Sequence, residues 1–308
     1  MQDLDTAILR TILYADVFRF PMAAREIHHF LIAENPCSQA DVEEALSASS
    51  RLAEALIQSD GWVALAGHAD QIGVREEREA ASTHLMLEAR RYGRWLACVP
   101  FVRMVAITGA LAMHNAASAQ DDVDYVLVTA PGRVWLARAC AILVVRLARF
   151  RGIEVCPNYV LAETALAQDR RDLYIAHEIA QMIPLFGFAV YDAMRARNAW
   201  AFHFLANACA PFHPETEQRP GTLAGAMKRM AEWALGDRLG NALEGWESRR
   251  KMRRFQAQMA DETHSARLDG EHVKGHFNDH GQRVLHQYAL RLQEYGLEEA
   301  PATISERA

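Results

Sequence analysis

The sequence predicts an α+β protein in three parts: helices closed by a hairpin, a small mixed sheet, and a long helical C-terminal region. Three observations carry that expectation. Runs rich in Ala, Leu, Arg and Glu dominate the chain and β-branched runs are few, so helix prevails. Residues 56–65 read LIQS-DG-WVAL, two short apolar segments around Asp60-Gly61, the dipeptide that suits a two-residue hairpin turn. Residues 102–128 read VRMVAITGALAMHNAASAQDDVDYVLV: apolar strand, tight Gly turn, short helix, polar loop and second strand. The expected divisions are 1–78, 79–168 and 169–308.

With 308 residues, 51% of them apolar and 23% charged, the chain is long enough to bury a sizeable core and ordinary enough to be globular. The N-terminus, MQDLDTAILR, carries acids where a secretory signal would be basic, and no apolar run reaches membrane-spanning length; ACAILVV at 139–145 comes nearest. Five widely spaced cysteines (Cys37, Cys98, Cys140, Cys156, Cys209) suit reduced thiols rather than a disulfide framework. A cytoplasmic location without membrane partners is the expectation.

Residues 4–18 have apolar positions at helical spacing, Pro21 ends that helix or begins the next, residues 22–33 form a second, and Ser38 caps a third. Three helices followed by a hairpin is the order of a winged helix-turn-helix, a module associated with DNA. The charges argue against DNA here. Residues 1–95 hold nine Lys/Arg against fifteen Asp/Glu, a net −6, and the would-be recognition segment carries Asp41, Glu43, Glu44 and Glu54 against Arg51. An acidic helix is repelled by phosphates, which supply most of a DNA binder's affinity. The arginines from Arg75 to Arg94 alternate with Glu76, Glu77, Glu79 and Glu88, the pattern of a solvated helix face.

The chemistry concentrates in the central stretch. Alternation along a strand points Asp122 and Asp124 one way and Val123 and Tyr125 the other. Two adjacent carboxylates repel unless a cation lies between them, and a hard divalent ion with oxygen ligands fits that need. Gly109 lets backbone approach a ligand, and the start of the helix after it offers N–H groups to a phosphate. Phosphate beside a carboxylate-held metal is the core of phosphoryl and nucleotidyl transfer.

An apolar strand, Gly109-Ala110, a spacer from Leu111 to Asp121 and Asp122-Val123-Asp124 together resemble the signature of the DNA polymerase beta-type nucleotidyltransferase superfamily. The wider stretch to Glu163 resembles a bacterial branch with an N-terminal winged-helix module. Position 110 departs from the pattern: it is Ala where the family has Ser or Gly, so a phosphate-facing hydroxyl is missing. The resemblance implies a metal-dependent enzyme that moves an NMP from an NTP to an acceptor hydroxyl and releases pyrophosphate. Asp122 and Asp124 would hold magnesium, up to two ions, and Thr108, Gly109, Ala110, Asn115 and Arg133 would contact the nucleotide. The third acid matches Glu154 by its apolar–acid–apolar context, with Glu163 as fallback, and Asn158 could hydrogen-bond a base or sugar. The other reading, from Ala110, is a non-catalytic nucleotide sensor whose winged helix contacts DNA or a partner protein.

The remaining chain is read as mostly helical. Pro131-Gly132 turns into an amphipathic helix from Arg133 to Arg149, and Ile153–Leu161 reads as a third strand with Pro157 at an edge or bulge. Residues 169–208 read as helices broken at Pro184; Pro211, Pro214 and Pro220 mark a linker; Met227–Gln258 is helical and ends in a basic run at Arg249, Arg250, Lys251, Arg253 and Arg254. That run suits either a polyphosphate or RNA end or a solvated helix terminus. His177 reads as a core or rim histidine. His272, His276 and His280 would share a helical face, though Gly275 and Gly281 weaken any helix there and no zincin glutamate lies between them. The acceptor (small molecule, protein or RNA), the NTP's base and the oligomeric state, homo-oligomer included, stay open.

Overall fold

The computed structural model describes residues 3–256, 269–274 and 280–298. Helices α1 (Leu4–Asp16), α2 (Ala24–His29), α3 (Gln39–Ala48) and α4 (Ser50–Ala55) lead into the hairpin β1 (Leu56–Ser59) and β2 (Trp62–Leu65). The Asp-Gly turn forms as the dipeptide demands: Asp60 and Gly61 have φ of 54° and 83°, both left-handed. The Ser38 hydroxyl accepts from the Asp41 N–H, and the Asp41 carboxylate accepts from the Ser38 N–H, which starts α3 where the sequence places it.

After the hairpin, α5 (Gln71–Ala97) crosses to a five-stranded mixed sheet. Its strands are β3 (Val102–Thr108), β4 (Val123–Thr129), β5 (Val155–Ala162), β6 (Ile183–Phe186) and β7 (His272–Lys274), in the order β6-β3-β4-β5-β7. The one-turn α6 (Gly109–Ala112) follows β3, and α7 (Val134–Arg149) makes the crossover between the parallel neighbours β4 and β5; the other pairings are antiparallel. The helices α8 (Leu173–Gln181), α9 (Phe188–Arg197), α10 (Thr222–Ala234), α11 (Arg238–Gln256) and α12 (His280–Glu294) complete the described α-helices.

Both faces of the sheet are covered, which explains why β3 and β4 read as continuous apolar runs. Val105, Ile107, Tyr125 and Leu127 pack with α5 and α7, and the Tyr125 hydroxyl donates to the Ala89 carbonyl at 2.6 Å. Met104, Ala106, Val126 and Val128 face the other way, into a core shared with α1, α8 and α12. The N-terminal helices and the sheet thus belong to one continuous core. Among the described residues no helix is long and apolar enough to cross a membrane.

Two sheet strands come from the region read as helical. The run Ile183–Phe186 is β6, an edge strand, where Pro184 without its N–H does no harm to the ladder. His272 lies in β7 and not on a helix, its Nδ1 3.1 Å from Asp269 Oδ1, while His280 opens α12 and His276 lies outside the described residues. The three histidines therefore do not form the helical row the spacing allowed. The basic run is carried on α11, which packs against α7 behind the sheet, and Arg250 is paired with Glu247 at 2.6 Å.

His177 on α8 is a core histidine, as read. It is 8% exposed, stacked on Tyr14 at 4.0 Å, with Nδ1 2.9 Å from the Leu173 carbonyl oxygen. Burial pulls its pKa down to about 4. His29 and His213 are lowered to about 4 by burial as well. A histidine with a lowered folded-state pKa resists a proton that the unfolded chain takes up, so stability is lost as pH falls from about 6.5 to 4. His177→Phe is expected to flatten that loss by about 2–3 kcal/mol at the acid end, read from urea midpoints at pH 7 and pH 4. Equal acid slopes for the two proteins would contradict it.

Candidate functional site

The site is built where the β3–α6 turn meets the start of β4. Thr108 pairs across the ladder with Asp124, so the strand register itself sets the acid beside the turn. Gly109 has φ of +68°, and a Cβ at that position would lie 2.5 Å from Asp124 Oδ2. Only glycine satisfies both the left-handed backbone and the carboxylate pressed against it. Because α6 is a single turn, any anion here would rely on local backbone N–H groups rather than on a helix dipole.

Asp122 and Asp124 point to the same side of β4, as alternation predicts. Their carboxylates and the Cys156 thiol on β5 come within 4.8 Å of one another. Cys156 is the parallel ladder partner of Asp124. Asp122 is exposed and Asp124 half-buried. Burial, and then the charges of Asp122, Glu178 and Asp121, push Asp124 up to about 8. Burial, followed by the two aspartates, pushes the Cys156 thiol up to about 12. A divalent cation would relieve both effects, since it supplies the positive charge that this group of donors lacks. Two carboxylates suit magnesium or manganese; the thiol is a softer donor and tilts the set toward zinc.

Thr108 donates from Oγ1 to Glu178 Oε2 at 3.3 Å, and Asn158 donates to Asp124 Oδ1, holding the carboxylate in place. The role considered for Asn158, a contact to base or sugar, is thus taken up by Asp124. Asn115 accepts from Arg78 at 3.0 Å and donates to the Phe18 carbonyl oxygen at 3.3 Å, which ties the turn to the N-terminal helices. Thr108, Gly109, Ala110, Asn115, Asp124 and Asn158 all line a cavity of about 540 Å³ beneath the turn.

Three expected residues lie elsewhere. Arg133 follows the far end of β4, roughly 20 Å from Asp122 at the strand's rise per residue. Its guanidinium donates to the carbonyls of Gly132 (2.7 Å) and Gly236 and covers the Phe101 ring, so it docks the α10–α11 connection. Glu163 also lies at that far end, its N–H bonded to the Thr129 carbonyl at 2.9 Å. Glu154 sits just before β5, and its exposed carboxylate faces Arg149 at 3.6 Å rather than the aspartates. On β5 the position beside Asp124 belongs to Cys156, two residues on, a placement that period-two alternation from Glu154 could have suggested. Glu178 and Tyr14, which complete the surroundings, come from distant helices and leave no local signal.

Compared with protein-family models, curated proteins and solved structures, the chain matches none.

Proposed function

We propose that this protein binds a nucleoside triphosphate with a divalent cation at the β3–α6 turn and transfers its nucleotidyl group to an acceptor hydroxyl. The reading follows the resemblance to the polymerase beta-type nucleotidyltransferases, with the N-terminal helices and hairpin as a winged-helix-like module that packs rather than binds DNA. One observation carries it: the glycine turn and the paired acids, separated by a dozen residues of loop, meet in space, with Asp124 against the Cα of Gly109. Asp122 and Asp124 would hold the cation, which supplies charge neutralisation for the triphosphate when bound. Asn158 fixes the Asp124 carboxylate, Thr108 keeps Glu178 turned to the site, and the side-chain-free Gly109 lets the Asp124 carboxylate press against the turn. In the overall reaction the acceptor oxygen bonds to the α-phosphorus, the bond to the bridging oxygen breaks, pyrophosphate leaves with that electron pair, and the hydroxyl proton passes to solvent.

A second reading is favoured by β5. Neither Glu154 nor Glu163 reaches the aspartates, and position 110 lacks a hydroxyl, so the site would bind a nucleotide without turning it over. Incubation with labelled ATP, GTP, CTP and UTP, magnesium or manganese, and cell extract separates the two. Pyrophosphate release with a labelled adduct is expected; saturable binding with no release would make the protein a sensor, and no binding of any NTP would overturn both.

A further inference from the structure

The cavity below the turn has a second wall that the nucleotide reading does not use. On one side stand Tyr14, Phe18 and Phe30 from the N-terminal helices; on the other, His177 and Ile179 on α8 and Met194 on α9. Its floor is the Val126 face of the sheet and its rim includes Asp124. About 540 Å³ is the size of a small-molecule site, and walls of this kind recognise an apolar body with a few polar handles.

Two such handles are present. Tyr14 is 5% exposed, and its ring stacks on His177 at 4.0 Å. The groups that act on it, Tyr174 and Glu178, line the same cavity. A phenol on a cavity wall can donate a hydrogen bond to a ligand oxygen. His177 turns Nδ1 to the Leu173 carbonyl oxygen, so that nitrogen carries the proton and Nε2 is left as an acceptor.

The acids straddle the rim. Asp124 lines the cavity, whereas Asp122 is exposed and lies outside its lining. We propose that the cavity is the acceptor pocket, and that the acceptor is a small, largely aromatic molecule that presents one hydroxyl to Asp124. This rests on the nucleotidyltransferase reading, in which the triphosphate takes the exposed Asp122 side. A polynucleotide or polypeptide acceptor needs an open groove, and this space is walled by α1, α8, α9 and the sheet. The transfer would join the acceptor oxygen to the α-phosphorus, as written above, giving a phosphodiester between the small molecule and the nucleoside with loss of pyrophosphate and one proton.

The test uses the full chain and 1-naphthol as the probe, a neutral aromatic alcohol whose fluorescence reports burial. One naphthol per chain is expected to bind in the absence of nucleotide. Tyr14→Phe, which keeps the ring stacked on His177, should weaken binding by about fivefold, the value of one hydrogen bond. Ala15→Phe, which fills the cavity from α1, should abolish it. Displacement of naphthol by ATP alone would assign the cavity to the nucleoside and overturn the proposal, as would absence of naphthol binding or equal binding by Tyr14→Phe. ATP binding that persists without any naphthol binding would sink the acceptor assignment and leave the nucleotide site standing. Naphthol binding without NTP binding would sink the nucleotide site instead.

Discussion

Asp124→Asn is expected to abolish cation-dependent nucleotide binding while leaving the unliganded protein folded and at least as stable as its parent. The amide is isosteric with the carboxylate and keeps an oxygen for the Asn158 donor. What it removes is a negative charge that burial and the neighbouring Asp122, Glu178 and Asp121 all oppose in the absence of a cation. The same charge is the one a divalent ion needs. Binding at a hundred times Kd stabilises a protein by about 2.7 kcal/mol, which for a chain of this size raises Tm by roughly 5 °C. Manganese with ATP should therefore shift the parent by about that amount and Asp124→Asn by none. A shift retained by the variant would remove Asp124 from the site. Loss of folding would show that the carboxylate is structural, contrary to its unfavourable surroundings. Asp122→Asn, exposed and outside the cavity, should weaken the shift without erasing it.

The parts of this site that could be read from sequence are those set by local periodicity. Strand alternation fixed the common direction of Asp122 and Asp124 and the opposite direction of Tyr125, which packs behind the sheet as expected. The Asp60-Gly61 turn and the Ser38 cap follow from single-residue chemistry and formed where read. What failed was what depends on partners far along the chain. Pro184 is a helix breaker by its own nature, but it becomes an acceptable strand residue only because β3 leaves an edge beside it. Arg133 has the right chemistry for phosphate and the wrong address: it lies at the opposite end of the strand that carries the acids. Glu154 matched a pattern of residue types, yet β5 begins one residue later and brings Cys156 alongside Asp124. The cavity itself has no local signature, since Tyr14 and His177 meet across more than half the chain.

Arg75→Met is expected to cost about 3–5 kcal/mol and to loosen the nucleotide turn at the same time. In the sequence Arg75 is the first charge of an alternating run that reads as a solvated helix face. In the structure it is 1% exposed. Its guanidinium donates to Glu26 at 3.0 Å, to Glu79 and to the His114 carbonyl at 3.2 Å, and lies between Phe20 and Trp62, 4.5 and 4.3 Å from their ring centres. Glu26 is buried beside it, and burial outweighs the arginine in raising the Glu26 pKa, so the pair spends much of its attraction on desolvation. Removing the arginine alone leaves that carboxylate uncompensated in the core. The cost should appear as a fall in Tm of roughly 10 °C. Glu26→Gln in the same chain should recover part of it, because the stranded charge is then gone; a double mutant as unstable as the sum of the two single changes would mean that the two side chains are not coupled. The functional consequence runs through His114. It ends the loop that starts at Gly109, its carbonyl is held by Arg75, and its Nδ1 lies 2.9 Å from Glu79 Oε1. Arg75→Met should therefore weaken the affinity for nucleotide even at temperatures where the protein is fully folded, whereas a purely global destabilisation would leave affinity unchanged in that range. Titration of ATP and manganese at 10 °C, followed by tryptophan fluorescence, distinguishes the two outcomes.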